Sequence, residues 1–340
     1  MFRRRPNPVW VADAAAQHLL KHDWQYWSVG ESIALSALYE LDSHQIGTGF
    51  KSRHQDYREV VEGVVRPWCR EFAGVGVRDH AAPGALLVDL YYDTEDELYL
   101  DVAVQLASLH ASLPVSRGVA VHQPDRDSLI RAEYMALDGP FLARLGAVTE
   151  SEALERRGLD AALGYAEALL DHSTHLFRHG FDTESGRQSE CSWARGNGWA
   201  LYGLIETLAE LSEEFPGSGR LLELICGHVT ALVSLQDASG HWHAILDDPS
   251  SQLESSATAL FVATLNSARR HGFVERTREL NECLRAALAA LYAAAGSDGA
   301  LVVSGETPVG SRNAYLGVPT GVFPWGQGAL ILAMLEATRM

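Results

Sequence analysis

Two tryptophans, an arginine and two glycines fall within seven residues in the run Trp193-Ala194-Arg195-Gly196-Asn197-Gly198-Trp199. Indoles offer flat apolar area to the C–H faces of a sugar ring, and a guanidinium fork matches a carboxylate through two parallel hydrogen bonds. Together they suit a sugar acid. Gly196 and Gly198 leave room for close approach of a ligand or backbone, and Asn197 can cap a helix that follows. Leu201, Leu204, Leu208 and Leu211 then recur at helical spacing, which places the run at the mouth of a helix. The opposing reading makes both tryptophans core side chains and pairs Arg195 with a structural carboxylate. So many such residues in so short a run weigh toward a ligand.

The elements that must position this run are helical. Leu98, Val102, Leu106 and Leu109 form one stripe, Leu159, Leu163, Ala166 and Leu170 another, and Leu280, Leu284, Leu288 and Leu291 a third. Strand-type alternation is nearly absent. Periodicity and turn residues predict twelve helices, near 8–21, 29–41, 54–73, 82–93, 95–111, 128–145, 157–177, 198–214, 218–236, 252–271, 275–295 and 326–338. Six hairpins of such helices close into a ring, an all-α (α/α)6 barrel, spanning 1–340 as a single domain. An open solenoid would show a fixed repeat, and none is apparent. The segment 296–327, rich in Gly and Pro, carries Tyr315, Phe323 and Trp325. A loop that long is usually functional, with its aromatics either facing a ligand or pinning the loop to the barrel.

Composition narrows the partners. With 44 acidic against 27 basic residues and a net charge of −17, the chain is a poor match for nucleic acid or an anionic membrane surface. An acidic ligand would need a local basic pocket. The four cysteines, Cys69, Cys191, Cys226 and Cys283, are widely spaced and outline neither a zinc knuckle nor a disulfide framework. The N-terminus begins basic, but prolines and Asp13 interrupt any signal-like apolar stretch, and no segment has the roughly 18 apolar residues of a membrane span. A cytoplasmic protein is expected.

At Trp193–Trp199 the chain resembles the unsaturated rhamnogalacturonyl hydrolases of glycoside hydrolase family 105, relatives of the unsaturated glucuronyl hydrolases. Phe177-Arg178-His179-Gly180-Phe181-Asp182 is similar to a family stretch with His-Gly at its centre, and Arg78-Asp79-His80-Ala81-Ala82-Pro83-Gly84 to another that reads L-D-N-x-x-P-G. Gln236-Asp237, Gly240, Trp242, Leu246-Asp247-Asp248-Pro249 and Leu253-Glu254-Ser255-Ser256-Ala257 extend the resemblance downstream. It implies an (α/α)6 barrel that acts on small uronic-acid oligosaccharides without metal or other cofactor. It further implies removal of a terminal uronic acid whose C4=C5 double bond is hydrated. One carboxyl protonates C4 and then serves as base for water attack at C5, which asks for a pKa raised toward neutrality.

The catalytic segment departs from the family pattern W-x-D-x-x-(Y/F)-M-x-x-P-F-L. Counting back from Pro140-Phe141-Leu142 without a gap places Glu133 at the aspartate and Arg131 at the tryptophan, while Tyr134-Met135 stands two residues early. Glu133 is the first candidate acid and Asp138 the second; each has the alternative of a plain helix carboxylate. Asp79 matches the second acidic position, with an N-cap as its alternative, and His80 replaces the neighbouring asparagine. His179 matches a site histidine. From their chemistry Arg195 is the choice for recognising the uronate carboxylate and Trp193 and Trp199 for stacking, with His80, and Tyr315 and Trp325 of the long loop, as further candidate substrate contacts. Leu246–Pro249 reads as a capped turn. The altered segment leaves room for a glycosidase or epimerase on saturated uronides, or for a non-catalytic uronide-binding protein. A zinc-dependent cyclase on a similar toroid is disfavoured, since no Cys/His ligand set clusters along the sequence.

Overall fold

A computed structural model describes residues 7–24, 27–48, 56–72, 81–122 and 128–340. Among the described residues six helices form an inner ring: α2 (Val29–Thr48), α4 (Gly84–Thr94), α6 (Asp138–Val148), α8 (Ala194–Glu210), α10 (Ser255–Arg270) and α13 (Pro324–Ala337). Each packs on the next and α13 closes on α2. Between them run the outer helices α1 (Pro8–Leu19), α3 (Tyr57–Glu71), α5 (Glu97–Ala111), α7 (Glu152–Leu169), α9 (Ser218–Ser234) and α11 (Arg278–Ala294). The expected (α/α)6 barrel is what forms.

Sequence decides which helix goes inside. In α10 every residue from Ser256 to Ala268 is buried, and in α13 the same holds from Gly326 to Glu336. A helix apolar all round must be surrounded by protein. In α11 only a stripe is buried, including Leu280, Cys283, Leu284, Ala287, Leu288 and Leu291, as suits an outer helix with one wet face.

The inner helices all begin at one pole. Gly30 of α2 lies under the Trp325 ring of α13, Gly84 of α4 against Phe141 of α6, and Gly198 of α8 against Leu260 of α10. At the opposite pole Arg144 of α6 meets Asp89, Glu206 and Glu210, and Asn266 meets Glu336. Short antiparallel strands cap the first pole. Leu129–Arg131 pairs with Gly180–Asp182, which pairs with Arg187–Gln188; Trp242–His243 pairs with Leu253–Glu254; Val303–Ser304 pairs with Thr320–Gly321. Helical periodicity could not show these two- and three-residue strands.

Two expected helices are redrawn. The span 128–145 splits into a strand over Leu129–Arg131, a 3-10 turn over Ala132–Ala136 and then α6 from Asp138. Pro140 has no N–H to donate and its ring would clash with the carbonyl of residue 136, so one continuous helix is forbidden there. The span 157–177 ends at Leu169, after which Leu170–Asp171 and Leu176–Phe177 form a hairpin. Within 296–327 the structure adds a short helix, α12 (Arg312–Leu316), and Trp325 falls in the first turn of α13.

Candidate functional site

Pairing at the capped pole brings Glu133 to His179. Arg131 is opposite Gly180, and the Ala132 N–H donates to the His179 carbonyl at 3.0 Å, so the next side chain, Glu133, stands beside the imidazole. Glu133 Oε2 lies 3.3 Å from His179 Nε2. The Glu133 side chain keeps 20% exposure while His179 is sealed. On the other side of the ring, Nδ1 meets the Tyr315 hydroxyl at 2.8 Å, and the Trp193 indole lies against the imidazole with centroids 4.2 Å apart. Tyr315 is itself buried, tied through its carbonyl to Gln252 Nε2 at 2.9 Å. A chain of contacts thus runs Glu133, His179, Tyr315.

The 3-10 turn that carries Glu133 is seated by a glycine. A Cβ on Gly203 of α8 would stand 1.9 Å from the Met135 carbonyl oxygen, so only glycine admits this approach. Burial alone would raise the Glu133 carboxyl, but the facing His179 and then Arg131 outweigh it and hold the group below the usual carboxylate range. That reverses the expectation of a raised pKa. Without ligand the site stores a carboxylate.

Arg195 is placed differently from the expectation of an open fork. Its Nη1 donates to the Ser304 carbonyl at 2.8 Å and to Ser256 Oγ at 3.2 Å; its Nη2 donates to the Gly305 carbonyl at 2.6 Å and to Thr307 Oγ1 at 3.3 Å. Glu254 Oε1 lies 4.0 Å away, and the guanidinium is packed between the Trp193 and Trp325 rings. The side chain is 3% exposed. Loop carbonyls take the donors that a uronate would need, so Arg195 ties down 304–307. Glu254 completes the lock: it caps α10 through the Ala257 N–H at 2.7 Å and receives both the N–H and the hydroxyl of Ser304 at 3.1 Å.

Other candidates divide. Trp199 is buried in the main core, where it packs rather than stacks on a ligand. Trp193 is also buried, its ring covered by His179 and Arg195. Asn197 does not cap α8: it lies one turn inside, accepting from Phe177 N at 2.8 Å and donating to the Phe177 and Trp193 carbonyls. Trp325 keeps a partly exposed face, stacks on Phe323 and donates through Nε1 to the Ser304 carbonyl at 3.0 Å. Asp79 and His80 lie outside the described residues.

Asp138 is not presented to a ligand. It is fully buried, with His122 Nε2 at 2.9 Å, His110 Nε2 at 3.2 Å and the Tyr165 hydroxyl at 2.7 Å from Oδ2. Burial pulls its carboxyl upward, but His122 and His110 overwhelm that and leave it far below the ordinary range. An acid so held cannot serve as a proton donor. His110, His122 and Arg131 received no role from sequence reasoning; the two histidines come from separate elements and meet only in the fold.

The family model of Glycosyl Hydrolase Family 88 matches residues 18–340. The chain belongs to that family. It is 29% identical over 267 residues, 75% of each chain, to the unsaturated rhamnogalacturonyl hydrolase YesR of Bacillus subtilis. A possible member of family GH105 from Salmonella enterica superposes over 100% of this chain and 95% of its own with TM-score 0.87 and 22% identity. The unsaturated glucuronyl hydrolase of Bacillus sp. GL1 does so over 99% and 97% with TM-score 0.73 and 19% identity. The family-105 resemblance and the toroid are both upheld, and the chain is a glycoside hydrolase by family. Among the described residues no helix is long and apolar enough to cross a membrane.

Proposed function

We propose that this chain removes a terminal 4,5-unsaturated uronic acid from small oligosaccharides, such as a rhamnogalacturonan disaccharide, by hydrating the C4=C5 bond. The observation that carries the reading is the partly exposed Glu133 held 3.3 Å from His179 at the pole where the inner helices begin. Helix N-termini favour an anion, which agrees with a uronate in an otherwise acidic protein. YesR, a relative by sequence, is an unsaturated rhamnogalacturonyl hydrolase.

Glu133 starts as a carboxylate. A uronate carboxylate arriving beside it offsets the lowering effect of His179 and Arg131 and raises the affinity of Glu133 for a proton. The protonated group then delivers that proton to C4, positive charge develops at C5 and the ring oxygen, and water adds at C5 as Glu133 takes the proton back. The resulting hemiketal opens and releases the aglycone alcohol. With Arg195 committed to loop carbonyls, the partly exposed Arg131, which donates to the Tyr134 hydroxyl at 3.3 Å, is the better-placed cation for the uronate. Trp325 offers the partly exposed aromatic face, and Asp79 and His80 are assigned to the same site from the family motif alone.

Incubation with unsaturated galacturonyl-rhamnose should erase the enol-ether absorbance, and Glu133→Gln should slow that loss about 10²–10⁴-fold. No loss of absorbance with unsaturated galacturonyl or glucuronyl disaccharides, or an unimpaired Glu133→Gln variant, would overturn the reading. We further read residues 1–340 as one domain and the protein as cytoplasmic, which its four unpaired cysteines suit.

A further inference from the structure

The fold gathers two imidazoles and a carboxylate that the hydration mechanism leaves unused. His110 comes from the last turn of α5, His122 follows the Val115–Ala120 hairpin, and Asp138 opens α6. Their ligating atoms lie within 4.8 Å of one another, and all three side chains are buried. The geometry points to a binding site for one divalent transition-metal ion of the zinc class at His110, His122 and Asp138.

Two observations carry this. First, both Nε2 atoms approach a single oxygen, Asp138 Oδ2, at 3.2 and 2.9 Å. Ligands around tetrahedral zinc, with bonds of about 2.0–2.1 Å, stand about 3.3 Å apart, so a few tenths of an ångström of relaxation admits the ion. Second, His110 Nε2 is buried and meets no partner in good hydrogen-bond geometry; its one near neighbour is the Asp138 Oδ2 it is ion-paired with at 3.2 Å. A buried donor or acceptor left unmade costs free energy, and a metal on that atom removes the cost. Two histidines and a carboxylate are a zinc-type ligand set with a fourth position for water. The Tyr165 hydroxyl donates to Oδ2 at 2.7 Å and orients the carboxylate, as outer-shell groups do at metal centres. Arg157 stands 3.5 Å from His110 Nδ1, on the nitrogen that diverges from the cluster.

The ion would act as a clamp. The His122 ring stacks on Tyr134 at 4.2 Å, and Asp138 follows the Ala132–Ala136 turn, so two of the ligands adjoin the segment that carries Glu133.

The full chain, freed of metal by chelator and desalted, is to be given Zn(II) or Co(II) alone. One equivalent should be retained, Co(II) should show the visible bands of a low-coordinate N/O site, and the thermal midpoint should rise with metal concentration. His110→Gln and, separately, His122→Gln should abolish all three signals. Retention no greater than in a metal-free blank overturns the site, and so does binding that both variants leave unchanged. If neither variant folds, the Co(II) spectrum and stoichiometry of the unmodified chain decide. No readout requires turnover, so failure here is separate from failure of the hydration reading.

Discussion

Glu133 and His179 show how one contact sets a residue's chemistry. A carboxylate enclosed by protein would ordinarily hold its proton, yet the imidazole at 3.3 Å and the Arg131 charge reverse that tendency. In the proposed hydration, ligand charge is the switch that makes Glu133 an acid. Tyr315 fixes the imidazole through the 2.8 Å contact to Nδ1 and lies too deep to touch substrate. Tyr315→Phe removes that contact while keeping the ring, and should lower kcat/KM about tenfold, the equivalent of roughly 1.4 kcal/mol from one neutral hydrogen bond. The loss should fall on kcat, with KM nearly unchanged. An equal rise in KM would mean that Tyr315 binds sugar directly.

Elements are held in register by two devices that act on different sides of the pole. The Glu133 turn rests on Gly203, where a Cβ would collide with the Met135 carbonyl. Gly203→Ala should therefore cost about 1–3 kcal/mol of stability, as overpacking does, and displace Glu133 enough to cut turnover sharply. A variant with native denaturant midpoint and native rate would show that the turn is not seated there. Across the pole, Arg195 holds Ser304 and Gly305 while Glu254 holds Ser304 from the other side. Lysine keeps the charge but lacks the planar fork that reaches both carbonyls. In Arg195→Lys, amide exchange over 303–321 should accelerate while the inner helices stay protected; unchanged exchange in that loop would remove the lock from the account.

For the whole molecule, the pole opposite the site is a ring of charges borne by the inner helices. Arg144 there holds Asp89, Glu206 and Glu210. Burial and then the Glu206 charge raise the Glu40 carboxyl from its ordinary 4.5 to about 7. A raised carboxyl keeps its proton in the folded chain where the unfolded chain has lost it. Stability therefore falls as pH climbs from about 4.5 through 7, and above that the penalty is complete. Glu40→Gln should raise stability at pH 8 by about 1–3 kcal/mol and leave it nearly unchanged at pH 4. Denaturant titrations at the two pH values check this, and an equal shift at both would refute the proton-linked account.

Helix period, length and the absence of a linker were enough to draw the ring, because a closed barrel needs only apolar faces in the right order. The run at 193–199 and His179 likewise come together at one pole, beside Glu133. Roles within that pole were not legible. Arg195 reads as a carboxylate fork in one dimension, yet the loop more than a hundred residues later supplies the oxygens that occupy it. Trp199 carries a sugar-stacking side chain, but α8 turns it into the core. Asp138 looks like a spare acid until His110 and His122 close on it from two other elements. Local pattern decides which face of an element is apolar; which distant donor meets which acceptor is decided only when the ring closes and each buried polar group must find a partner.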